Sequence, residues 1–202
     1  MKLLHAAPSK PHQWFIPVLV SLIALICFIF ESHLFGSLGY SHMAISEGQV
    51  WRLLSGHFFH ANDNHLIMNL MGLWCLWLLH GDYYHYRNMA ALYLISAITT
   101  GLGMFYFDPD VEIYVGLSGI LHGVLIWGAL KDIQHKYNMG YLLLFATIGK
   151  IGFEQYFGAS DEVVKLIEMN VAVNAHLFGA IGGVLAYLLD VKNKTDANKK
   201  AT

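Results

Sequence analysis

Seventeen consecutive residues, Trp14 to Phe30, carry no charged side chain. With its flanks, a run of that length reaches across the hydrocarbon of a bilayer as a helix. Five more apolar stretches follow, near His65–Leu79, Met89–Phe107, Val115–Leu130, Gly140–Phe157 and Asn170–Leu189. The composition agrees: of 202 residues 56% are hydrophobic and 13% charged, and the mean hydropathy is +0.47. One soluble core cannot hide that much apolar surface. The expected architecture is an all-α membrane protein, a single six-helix bundle over residues 14–190. A polar segment, 1–13, precedes it and a basic tail, 191–202, follows. The first apolar run lacks a signal-peptide cleavage site and is expected to be retained. The net charge of −2 says nothing about nucleic acid, and no basic block argues for such a partner, so none is expected. Cys27 and Cys75 lie inside apolar runs and read as packing residues, with no disulfide framework.

Basic residues set the orientation. With six spans both termini share a side, which collects Lys2, Lys10, Arg87, Lys131, Lys136, Lys192, Lys194, Lys199 and Lys200. The other side has Arg52 and Lys165. Lys and Arg accumulate on the cytoplasmic face, so both termini are expected there. The connection from Phe30 to Asn64 becomes a long outer loop; its Trp51-Arg52-Leu53-Leu54 reads as an interfacial amphipathic piece.

On this topology the second, fourth and sixth spans start at the outer face and run inward. His65 and Asn69 fall in the first two turns of the second, and Ser118 in the first turn of the fourth. His176 falls about six residues into the sixth, roughly 10 Å down. Polar side chains in hydrocarbon are costly and turn toward a protein interior or a wet cavity. Their common depth therefore points to one site. His65 and Asn69 share a helix face, as do Ser118 and His122, each pair being four residues apart. Gly119 and Gly123 make one small-residue ladder, and Ala175, Gly179 and Gly183 another, so the fourth and sixth helices are expected to approach closely. A serine–histidine pair needs that approach, because proton transfer works near 3 Å. No acidic residue is evident at the same depth, so a Ser–His dyad is expected.

Gly116-Leu117-Ser118-Gly119 resembles the Gly-x-Ser-Gly of rhomboid intramembrane serine proteases. Ala175-His176-Leu177-Phe178-Gly179, then Gly183, resembles their last core helix. His60 to Asn69 resembles the family's histidine-rich start of the second span, and Trp51-Arg52 its first-loop pair. The longer string Gly-Leu-Ser-Gly-x-x-His-Gly, Gly116 to Gly123, is similar to the rhombosortase subgroup, and His122 departs from the general rhomboid pattern. The resemblance implies a six-helix serine endopeptidase with Ser118 as nucleophile and His176 as base, and no metal or other cofactor. His65 and Asn69, with the Ser118 N–H, would steady the oxyanion. It further implies substrates that are secreted proteins held in the lipid bilayer by a C-terminal Gly-Gly-containing motif, an apolar span and a basic tail. The expected location is a bacterial inner membrane, with the site toward the outer side.

Other residues leave alternatives open. Gly116 is expected to keep the backbone beside the nucleophile open. His122 either packs beside His176 or competes with it as base. His57 and His60 either brace the long loop through backbone carbonyls or join His65 around a metal. Lys150 and Glu154, opposite charges one turn apart, either pair with each other or recognise a polar feature of substrate. Two other functions compete: a proteolytically inactive rhomboid-like binder of membrane helices, and a metal- or haem-binding protein using His60, His65 and His176.

Overall fold

Among the described residues the backbone is helical and forms no strand. The structure, a computed structural model, describes residues 7–200, and side chains through Lys192. Lys2, residues 201–202 and the side chains of Lys194, Lys199 and Lys200, which carry part of the expected charge asymmetry, lie outside the described residues.

Ten α-helices follow one another: α1 (Pro11–Ile29), α2 (Glu31–Leu38), α3 (His42–Ser46), α4 (Arg52–Ser55), α5 (Asp63–His80), α6 (Tyr86–Phe107), α7 (Ser118–Gln134), α8 (Met139–Phe157), α9 (Asp161–Ile167) and α10 (Val173–Lys200). Of the six spans expected, α1, α6 and the Val173–Lys192 part of α10 are long and apolar enough to cross a membrane by themselves. The other three correspond to α5, α7 and α8, of 18, 17 and 19 residues. These are the helices that hold most of the polar residues singled out above. The fourth expected span starts three residues later than its apolar run, at Ser118, and the sixth at Val173. His176 thus stands in the first turn of α10, shallower than expected. The tail continues α10 to Lys200.

α7 is the centre of the bundle. α10, α6, α8 and α5 pack around it, and α1 leans on α5 and α6. Leu117, Val124, Trp127 and Ala129 are fully buried. Its contact with α10 is made by backbone. A Cβ on Gly179 would fall on the Gly119 carbonyl, and one on Gly183 on the Gly123 carbonyl. The small-residue ladders therefore interlock in register, as close-packed membrane helices require. Outward faces are apolar: Leu22, Leu94, Leu142, Phe145 and Leu188 are at least half exposed, which suits lipid and not water.

The chain between α1 and α5 is folded onto the bundle. Arg52 is 6% exposed and its guanidinium donates to the Gly36 and Gly39 carbonyls and to Gln49 Oε1. Trp51 faces outward, with its indole N–H on the Ser37 carbonyl. So only half of the Trp-Arg pair is interfacial; the arginine satisfies buried carbonyls that the loop leaves without helical partners. His57 does brace a carbonyl, donating from Nε2 to Ala97 at 3.0 Å. At the opposite end, Lys131 is buried and pairs with Asp190, while Asp132 accepts from the Tyr83 hydroxyl at 2.7 Å and lies 3.4 Å from His80 Nε2. Tyr84 is fully buried. Cys27 is buried, but Cys75 is exposed, and neither is bonded.

Gly179→Ala is expected to lower the thermal unfolding temperature in detergent, by about 1–3 kcal/mol of overpacking. A methyl group added at Gly149 would meet no atom within 4 Å, and Gly149→Ala is expected to stay within about 1 kcal/mol of wild type. Burial holds His57 below its ordinary value, at about 4, and His60 at about 3, through burial and then the neighbouring His65. Each is neutral when folded and takes a proton more readily when unfolded. Their stabilisation is complete above pH 6.5 and is lost as pH falls from 6.5 toward those values. Unfolding temperatures measured across that window should fall, and His57→Gln should make the fall shallower.

Candidate active site

Ser118 opens α7, with Leu117 as its N-cap. Its N–H is among the leading donors that have no partner inside a helix. The turn before it depends on Gly116, whose φ is +110° and whose Cβ, if it had one, would stand 2.7 Å from His65 Nε2. Only glycine takes that conformation without strain. The Gly116 carbonyl accepts from the buried Tyr114 hydroxyl at 2.9 Å, and that hydroxyl lies 3.3 Å from His57 Nδ1. The expected open backbone at Gly116 is therefore a close approach to the His65 ring, held from behind by Tyr114 and His57.

Across the glycine contact, His176 of α10 reaches the serine: its Nε2 is 3.0 Å from Ser118 Oγ. Its other nitrogen, Nδ1, is 2.8 Å from Glu154 Oε2. Glu154 Oε1 accepts from Lys150 Nζ at 2.6 Å. Lys150 Nζ also lies 3.2 Å from His122 Nε2, and His122 Nδ1 is 2.7 Å from the Ser118 carbonyl. Five residues on α7, α8 and α10 thus form a ring that leaves Ser118 by its hydroxyl and returns by its carbonyl. The partners fix the protons. A carbonyl only accepts, so His122 donates from Nδ1, and its Nε2 is the acceptor for the lysine. Neither nitrogen of His122 is left for the Ser118 hydroxyl. Its ring stacks on that of His176, centroids 4.1 Å apart and planes 19° from parallel, the packing role foreseen for it.

Two cavities meet at Ser118. One, about 490 Å³, opens between the α6–α7 connection and the segment before α10, with Asp108, Glu112 and Asn174 on its wall. The other, about 680 Å³, is an apolar groove between α5 and α8, lined by Met68, Leu76, Leu143, Phe153 and Cys75. His65 and Ser118 line both; Asn69, His122 and His176 line the second. Asn69 is buried and donates one amide hydrogen to the His65 carbonyl at 3.0 Å, which leaves its second hydrogen uncommitted. Residues near α9 roof the junction, tied down by Asn62 and Asn64, which both donate to the Leu166 carbonyl.

The rhomboid domain model matches residues 47–193. The chain belongs to the rhomboid family. It is 26% identical over 164 residues to a Bacillus subtilis (strain 168) protein named "Putative rhomboid protease YdcA", covering 77% of this chain and 74% of that one. The rhomboid protease GluP of the same organism is 27% identical over 149 residues, 70% of this chain. The chain spans about a quarter of that protein's length, the match covering 26%. RHOMBOID-like protein 5 of Arabidopsis thaliana is 33% identical over 82 residues, 40% of this chain and 26% of that one.

Ser118, His176, His65, Asn69 and His122 line the cavities, Gly116 lies against the His65 ring, and Gly119 and Gly179 meet each other in the contact of α7 with α10. Lys150 and Glu154 pair as foreseen. What differs is that an acid does stand at the depth of His176. Glu154 lies three residues before the end of α8, and His176 three residues after the start of α10, so counting back from the ends of helices as well as forward from their starts would have matched them. Tyr114 is a further member of the site that nothing in its sequence setting marks. The three histidines proposed to share a metal do not cluster as ligands. Among the described residues the group close enough is His122, Glu154 and His176, and the Lys150 ammonium already occupies two of its acceptors.

Gly116→Ala should force the 112–118 turn and push His65 aside. Labelling of Ser118 by a serine-reactive phosphonate is expected to slow at least tenfold, a loss of about 1.4 kcal/mol or more.

Proposed function

We propose that this chain is an intramembrane serine protease working through Ser118 and His176. The observation that carries the reading is the 3.0 Å contact of Ser118 Oγ with His176 Nε2, at a place where a polar mouth meets an apolar groove. A serine hydroxyl is a weak nucleophile until a base takes its proton. Here Ser118 attacks the scissile carbonyl as His176 Nε2 accepts the hydroxyl proton. The C–N bond then breaks, and the leaving amine takes that proton from His176. Water from the mouth gives a proton to His176 as it attacks the acyl ester; the ester C–O bond then breaks, and His176 returns that proton to Ser118 Oγ as the carboxylic product leaves. His65, the second Asn69 amide hydrogen and the Ser118 N–H serve the oxyanion, each such donor being worth about 3 kcal/mol in the transition state. The groove between α5 and α8 suits the apolar segment of a membrane-anchored substrate, and the mouth supplies water.

The finer reading is a rhombosortase-like enzyme. In it six spans place both termini in the cytoplasm of a bacterium, and the site faces outward across the inner membrane. Substrates are secreted proteins with a C-terminal Gly-Gly-containing motif, an apolar span and a basic tail. The Gly116–Gly123 string and the stacking of its histidine on His176 support it.

In proteoliposomes, wild type is expected to cleave a reporter carrying such a tail, while Ser118→Ala and His176→Ala lose at least about 10³-fold in kcat. Asn69→Ala should lose roughly 10²-fold with KM little changed. Cleavage at wild-type rate by Ser118→Ala would overturn the reading. Cleavage of an apolar span without the Gly-Gly motif at equal rate would retire the substrate class and keep the protease.

A further inference from the structure

Glu154 sits on α8, to which neither nucleophile nor base belongs, yet it aims a carboxylate oxygen at the far nitrogen of the base. We infer that Glu154 is the positioning residue of a Ser118–His176–Glu154 relay, with Lys150 and His122 holding its carboxylate in place. This rests on the protease reading above.

The geometry assigns each oxygen a separate task. Oε2 is 2.8 Å from His176 Nδ1 and Oε1 is 2.6 Å from Lys150 Nζ. A carboxylate only accepts, so Nδ1 of His176 carries the hydrogen, and the lone pair is left on Nε2, facing Ser118 Oγ. That is the tautomer a general base needs. When Nε2 takes the serine proton, the new imidazolium lies against a carboxylate that is 12% exposed. In so dry a place a fixed opposite charge stabilises it far more than water does.

The rival explanation, that Glu154 exists to neutralise Lys150, fails to account for the shape of the ring. A simple helix pair four residues apart needs no third partner. Lys150 is also half exposed, with its side chain 50% accessible, and is able to reach polar surroundings by itself. It donates instead to both Glu154 and His122, and His122 in turn is bonded to the Ser118 backbone and stacked on the base. The carboxylate is thereby fixed from one side by an ammonium and faced by the imidazole on the other.

The test uses the full chain in proteoliposomes with two readouts: phosphonate labelling of Ser118 and steady-state cleavage of the tailed reporter. Glu154→Gln keeps the shape and removes the charge. It is expected to slow labelling and lower kcat by about 10²–10⁴-fold, with KM within about threefold and unfolding temperature near wild type. Glu154→Asp should recover a measurable part of the loss. Lys150→Met should cost less than about tenfold, because the carboxylate keeps its bond to His176. Glu154→Gln within about threefold of wild type in kcat would overturn the inference. So would equal losses in Glu154→Gln and Lys150→Met, or a Glu154→Gln loss seen only in KM and unfolding temperature. If wild type itself shows no Ser118-dependent labelling, the protease reading fails and takes this one with it.

Discussion

The approach of α7 to α10 is the constraint on which the site depends. Ser118 and His176 come from different helices, 58 residues apart in sequence, and those helices meet backbone to backbone. Glycines at 119, 123, 179 and 183 remove the side chains that would hold the axes apart. In lipid, where burial of apolar area gives little drive between helices, van der Waals contact of this kind is the main source of association. α6 completes it from behind, with the buried Ser96 and Thr100 against the same glycines. The 3.0 Å contact of Ser118 with His176 is thus a consequence of backbone shape.

The spans were legible because their signals are long: apolar runs and glycine ladders. The serine, its histidine and the two oxyanion candidates were legible because polar residues at one depth in lipid have few reasons to be there. What could not be read was rotation about a helix axis. Nothing in the sequence says whether Glu154 turns toward Lys150 alone or also toward α10, and it does both. The long loop hid its logic for another reason. Arg52 looks like a surface charge, and only the path of the chain reveals the two glycine carbonyls that it serves. Tyr114 belongs to the same class: its role is set by a turn whose geometry depends on the positive φ of Gly116.

Polarity is distributed with some economy. α5, α7 and α8 carry the groups that hydrocarbon tolerates least, and these groups satisfy one another. In the ring with His176 neutral, one ammonium and one carboxylate cancel, so the resting site presents no net charge. The same cancellation recurs at the opposite end, where buried Lys131 meets Asp190.

α8 is the least embedded member of the bundle. Of its 19 residues Gly140, Thr147 and Ile151 are buried, and the flank toward α5 is the open groove. This lightly covered helix carries the carboxylate that, on the relay proposed above, orients His176. While α8 lies against α10 the relay is aligned. A displacement of roughly an ångström or two breaks the 2.8 Å bond and frees the imidazole to turn. On the relay proposed above, the alignment of His176 would therefore depend on a helix that much of the bundle leaves uncovered.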